Sequence, residues 1–547
     1  MKLQTHRFLH LLLLAIIISV QVDAQVTVGS NLTPLDGALL DLKQNDNINS
    51  NSTKGLLNAR VYLIGLDKMD PCIKTEDLQA GDKESHIGLL VYNITDSLEV
   101  GLCPGLHVWD GTQWIRLPEP CYNPLDPELI NSPNCYIVPP NGGVSEEIPV
   151  GKPYLVWEQR SDLGTFDDKA KVSVDLIWQD KKDLIEKVEL STGDKGGFSK
   201  FKVTTKAGST EGNALVGIHI GPNGNATDPI YWSWHIWVTG FDPEATSYTH
   251  DNGEATYIFM DRNLGAVKMD AGAAPSEPYF EDAMGLLYQW GRKDPFTASA
   301  SFYNDPDIRE LYDINNNVLT EQNEFDFSGA SGSGIKHVEV VANTVSNLKK
   351  SIQNPTTYYY GEYKSSFPPF DWFTSDDTGA GGDNSLWAEA GKKSMFDPCP
   401  AGWRVPAYSS ANKSPWAKFE SAGWDPAPNV TKAGTGGGYG IGLMLNAYAS
   451  TSRTELGFYP YGFERIARQF YKPGSVGSQT GAVAGGLFTY SIEVSNPTGY
   501  YWTATPKAGE SSAKAEVINY SPFEGPVVSA TTASRSMGAS VRCVKDQ

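Results

Sequence analysis

The chain has 547 residues, 20% of them charged, and a formal net charge of −20 at pH 7. So acidic a chain has no broad positive footprint for a phosphate backbone, which excludes nucleic acid as a partner. A hydrophobic content of 40% excludes a disordered chain, and the length exceeds one core, so three or four domains are expected.

Export is written in the first residues. Lys2 and Arg7 give a positively charged start before an apolar run from Leu9 to Val20, broken only by His10 and Ser19, and Val22-Asp23-Ala24 offers a cleavage site before Gln25. This pattern predicts a signal peptide over 1–24, with an apolar core too short to span a bilayer. No Cys follows the site and no later stretch nears about 18 apolar residues, so no lipid anchor there and no transmembrane segment in the mature chain are expected.

Residues 25–120 read as a small β module ending in a hairpin. Arg60–Ile64 and Gly88–Asn93 are strand-like runs. Leu106–Trp109 and Gln113–Leu117 flank Asp110-Gly111, a strong hairpin turn signal, and Trp109 and Trp114 are assigned to its core. The hairpin resembles those ending small modules of bacterial surface and tail-fibre-like proteins. Pro118 to Pro140 contains seven prolines and two cysteines, which predicts a stiff linker over 121–140.

Residues 141–243 read as an immunoglobulin-like β-sandwich. Lys171–Trp178, Phe198–Thr204 and Ala214–Ile220 alternate, and Tyr231–Val238 is the clearest strand. Period two puts Trp232, Trp234, Ile236 and Val238 on one face and Ser233, His235 and Trp237 on the other, where one partly exposed Trp is expected.

Residues 244–547 carry five ordered motifs: Phe259–Gly265, Gly285–Phe296, Asp397–Pro406, Gly499–Thr505 and Gly538–Val544. Together they resemble the Fibrobacter succinogenes major paralogous domain, a family of exported bacterial modules similar to the C-type-lectin and formylglycine-generating-enzyme superfold. The sandwich before it resembles a usual companion in Bacteroidetes-type surface proteins. The resemblance implies an α+β, lectin-like module with few helices, adjacent ends, and Cys399 and Cys543 bridging its core. The fold class expected for the whole is therefore multidomain and mainly β.

The six cysteines, Cys72, Cys103, Cys121, Cys135, Cys399 and Cys543, all follow the signal. An even count in an oxidising compartment predicts disulfides, and pairing within modules gives 72–103, 121–135 and 399–543. Metal binding is the rival, but no CxxC occurs and the histidines are scattered. No HExxH, GxSxG or Walker motif is present, and the glycine-rich stretch 434–442 reads as a surface loop or bend. No catalytic residue is assigned. An enzyme of the formylglycine-generating type would need reactive cysteines, and bridging the two in this module would remove them.

Two candidate sites remain. Tyr358, Tyr359, Tyr360, Tyr363 and Trp372 form an aromatic run suited to sugar rings if exposed, the alternative being that they pack the module. Asp313, Asn315, Asn317 and Glu324 fall at positions of an EF-hand-like calcium loop, although Val318 stands where that loop needs Gly. Asp376, Asp377 and Asp383 are a weaker cluster. Calcium is the one cofactor considered. The leading expectation is an exported surface or secreted adhesion protein that binds a glycan or a host or surface protein. The alternative is a structural or tip subunit of a surface appendage, partnered by other envelope proteins.

Overall fold

The computed structural model describes residues 26–33, 40–44, 56–97, 100–117, 125–165, 167, 170–192, 196–269, 282–297, 310–319, 336–340, 346–361, 371–373, 382–387, 393–422, 429–433, 442–446, 455–460, 465–471, 482–489, 498–507, 512–521 and 525–546. The signal segment and the loop 434–441 lie outside these residues. The chain is multidomain and mainly β, and it divides into two compact units, 1–123 and 124–547. No helix among the described residues is long and apolar enough to cross a membrane.

In the first unit, β1 (Val26–Val28) and β2 (Leu40–Leu42) form a parallel pair. A four-stranded sheet follows, β3 (Arg60–Val61), β4 (Leu90–Asn93), β5 (Gly105–Trp109) and β6 (Trp114–Leu117), in sequential order. The expected hairpin joins β5 and β6. The Asp110 carboxylate accepts from the Thr112 and Gln113 amides at 2.7 Å each, and Gly111 takes a positive φ of 103°. Trp109 and Trp114 pair across it, edge to face at 5.4 Å, and both are buried. Their indole N–H groups donate to the Lys83 and Lys68 carbonyls at 2.9 and 2.7 Å, which closes the loop 62–88 over this face.

The second unit opens earlier than a linker over 121–140 would allow. Pro127–Asn131 is a 3₁₀ turn capped by Asp126, and β7 (Cys135–Val138) runs parallel to the Trp-rich strand. Proline content misled here because the prolines flank the four-residue strand and leave its amides free to pair. β8 (Ile148–Pro149), β9 (Lys171–Gln179), β10 (Ile185–Thr192), β11 (Lys200–Thr205), β12 (Gly212–Gly221) and β13 (Ile230–Val238) complete a two-sheet sandwich, ordered β7-β13-β12-β9 and β10-β11-β8. Phe201 meets Trp234 between the sheets at 5.1 Å.

The opposite face of β13 is not partly exposed as expected: Ser233, His235 and Trp237 are all buried, the first two against Asp294 and Tyr288 and the last against Phe241. Ser233 Oγ donates to Asp294 at 2.5 Å, and Lys293 Nζ donates to both Ser233 and Asp294 at 2.5 Å while lying 4.6 Å above the Trp232 ring. His235 Nε2 donates to Asn213, whose amide donates on to the Gly265 carbonyl. Just before β7, Asn134 donates to the Met395 and Asp397 carbonyls at 2.9 and 2.8 Å. One hydrophobic core therefore runs from Cys135 to Cys543.

All five motifs meet in this core. The strand Leu286–Gln289 pairs with Gly538–Ser540, which runs parallel to Thr498–Pro506. Trp290 and Trp502 exchange indole hydrogen bonds across them, to the Thr503 and Tyr288 carbonyls. Arg542 donates to Asn263 at 2.9 Å. Phe259 pairs with Val544, so the two ends of the stretch are adjacent. The Asp397 carboxylate accepts from the Cys399 and Val405 amides, and Lys393 binds Asp397 together with the Cys399 and Trp403 carbonyls. Cys399 and Cys543 form a disulfide, Cα–Cα 6.1 Å, as the resemblance implied.

That bridge closes a loop of sequence separation 144, for which chain entropy alone gives about 5 kcal/mol. The double variant Cys399→Ser/Cys543→Ser should lose up to that amount in a denaturant titration. Burial lowers the His235 pKa to about 3, and burial with the nearby Lys418 ammonium lowers that of His250 to about 4. The unfolded chain takes up these protons below about pH 6.5 and the folded chain does not, so stability is full above that pH and falls as pH drops towards 3–4. Thermal unfolding against pH should show this loss, with His235→Asn shallower by about 1.4 kcal/mol per pH unit.

Candidate assembly surface

Among the described residues, the aromatic run packs inward and does not face solvent. Tyr358 and Trp372 are buried and Tyr359 nearly so. Tyr358 donates to the Ser536 carbonyl and accepts from the Gly538 amide at 3.0 Å. Trp372 donates to the Trp290 carbonyl at 2.7 Å, and the Arg292 guanidinium sits 5.6 Å from its ring. These rings have a large apolar area and a single polar atom each, and the core of a helix-poor module satisfies both. Tyr360 belongs to the strand Thr357–Gly361; its side chain and Tyr363 lie outside the described residues.

The calcium loop is likewise a turn. Both Asp313 oxygens are engaged: Oδ1 accepts from the Asn315 and Asn317 amides at 2.8 Å each, and Oδ2 from the Asn317 side chain at 2.9 Å. The Asn317 side-chain hydrogen bond is the main reason the Asp313 carboxyl is held below its usual range. Asn316, at φ 64°, donates from its side chain to Asp183 and fastens the turn to the sandwich. Glu324, Asp376 and Asp377 lie outside the described residues, and Asp383 is ion-paired with Arg160 at 2.7 Å. No group of three His, Cys, Asp or Glu that could hold a metal occurs among the described residues.

Of the three expected disulfides, 72–103 needs correction, and 121–135 rests on a residue outside the described ones. Cys72 and Cys103 are not joined: Cys72 sits exposed in the turn where its amide donates to Met69, and Cys103 lies beyond β4, its carbonyl bound by the Asn93 side chain. Cys135 is a buried thiol in β7, its pKa pushed up by burial, and Cys121 lies outside the described residues. Even parity constrains the number of bridges but not the Cα approach of about 7 Å or less that a bridge requires.

What the sequence reading missed is a surface in the first unit. Thirteen of the eighteen large apolar side chains exposed among the described residues lie there. The alternation of the four-stranded sheet explains them. Val91, Trp109 and Trp114 face the core, with Leu63 and Met69 packed beneath. The other face carries two cross-strand rows, Leu90–Val108–Ile115 and Tyr92–Leu106–Leu117. Leu90 and Tyr92 are each 39% exposed and Leu117 44%, and Tyr62 and Ile64 continue the outward alternation of Arg60. A sheet apolar on both faces is one that expects cover on both. The signal was available: Gly88-Leu89-Leu90-Val91-Tyr92 is an uninterrupted apolar run where a half-exposed strand would alternate.

Residues 27–131 match the family of phage tail-like trimerisation regions, which includes the whole of this sheet. No curated protein and no solved structure matches the chain.

Trp372→Ala should lower stability by about 3–5 kcal/mol, the cost of emptying a buried aromatic site, read from the denaturant midpoint. An exposed platform residue would cost less than about 0.5 kcal/mol.

Proposed function

We propose that the chain is an exported structural subunit that self-associates as a trimer through its first unit and builds an extracellular, tail-like or appendage-like assembly. The match of residues 27–131 to phage tail-like trimerisation regions carries this reading. The exposed apolar surface of the same residues supports it, since a lone soluble domain rarely shows so much. The parallel pair β1 and β2 adds support: two strands with Val28, Leu40 and Leu42 exposed bury too little to stand alone.

The second unit, in this reading, is the module the assembly displays, an exported domain of the Fibrobacter succinogenes major paralogous type. It acts by contact and not by catalysis. Its two family-motif cysteines are consumed in the 399–543 disulfide, leaving no thiolate there for formylglycine-type chemistry.

Sedimentation equilibrium of the mature protein should return three times the chain mass, with dissociation only on dilution. A protein that stays monomeric at every attainable concentration would remove the proposal.

A further inference from the structure

We infer that the outer face of the β3-β4-β5-β6 sheet is the surface on which copies of this chain meet, three such faces packing around a common axis. This rests on the self-association proposed above and names the site that performs it.

The two rows across β4, β5 and β6 supply six side chains in register: Leu90, Val108 and Ile115, then Tyr92, Leu106 and Leu117. All six are at least partly exposed, and none bears a charge. Arg60 pairs with Tyr92 at the β3 end of the second row, so its charge falls at the margin of the patch and not within it. An apolar centre with charge at the rim is the composition of a self-association interface.

The partner is a second copy and not an unrelated protein because the matched trimerisation region covers all four strands. The second unit supplies the contrast. There, the sheet face carrying Ser233, His235 and Trp237 is closed by its own chain, whereas within the first unit the outer face has no such cover among the described residues. Both edges of the sheet are short strands, of two and four residues, which leaves its face as the larger surface for pairing.

The test uses the mature full-length chain with Tyr92→Glu, Leu117→Glu and, as a control, Val144→Glu at an exposed site of the second unit. Sedimentation should show the wild type and Val144→Glu as trimers and both face variants as monomers, at least 100-fold weaker in association. A trimeric wild type whose two face variants also remain trimeric overturns this inference and leaves the parent reading standing. A monomeric wild type overturns both.

Because a face variant could misfold, a second arm uses Tyr92→Cys in the assembled protein, labelled with a maleimide and read at that peptide by mass spectrometry. Slow labelling that becomes at least tenfold faster on dilution to monomer supports a buried face. Rapid labelling within the intact trimer overturns it.

Discussion

The second unit depends on one strand being covered on both faces. β13 packs Trp234 against Phe201 inside the sandwich, and turns Ser233 and His235 towards Asp294 and Tyr288 of the stretch after 244. Sandwich and C-terminal stretch therefore cannot be separated without exposing a tryptophan, a histidine and a lysine–aspartate pair that are now dry. Lys293 and Asp294 show how this is tolerated. The ammonium has the carboxylate, the Ser233 hydroxyl and the Trp232 ring around it, so two hydrogen bonds and a ring face offset part of the desolvation of the two charges. Burial still lowers the Lys293 pKa to about 8.

The same logic organises the loop around the disulfide. Asp397 gathers two amides and Lys393 gathers the carbonyls of the following turn, so the backbone of the Asp397–Val405 motif is satisfied without a helix or a long strand. The bridge to Cys543 ties that turn to the far end of the chain. A module with few helices can be rigid in this way because polar side chains do the work that ladders do elsewhere.

The first unit has the reverse character. Its inner face is complete, with two tryptophans capped by loop carbonyls, and its outer face presents rows of aliphatic and aromatic groups. A sheet sealed on one face and apolar on the other divides its residues into those that close the core of the unit and those that face outward.

Much of the architecture was legible from residue patterns. Asp110-Gly111 between two apolar runs announced the hairpin, and alternation from 171 to 238 marked four of the seven sandwich strands. These are local or periodic signals, and the backbone obeys them because φ/ψ preferences and side-chain period act within a few residues. Other features could not be read this way. Whether Tyr358 and Trp372 meet sugar or core depends on what arrives from more than 50 residues away, and whether Asp313 meets a cation or its own amides depends on how a short turn closes. Cysteine parity similarly left partners open, since pairing is decided by Cα approach and not by count. Sequence by itself determined that this chain makes β modules with enough apolar residues to close them. Only the tertiary structure decided which apolar faces were closed from within and which were left exposed, because burial is a property of packing between segments and not of any one of them.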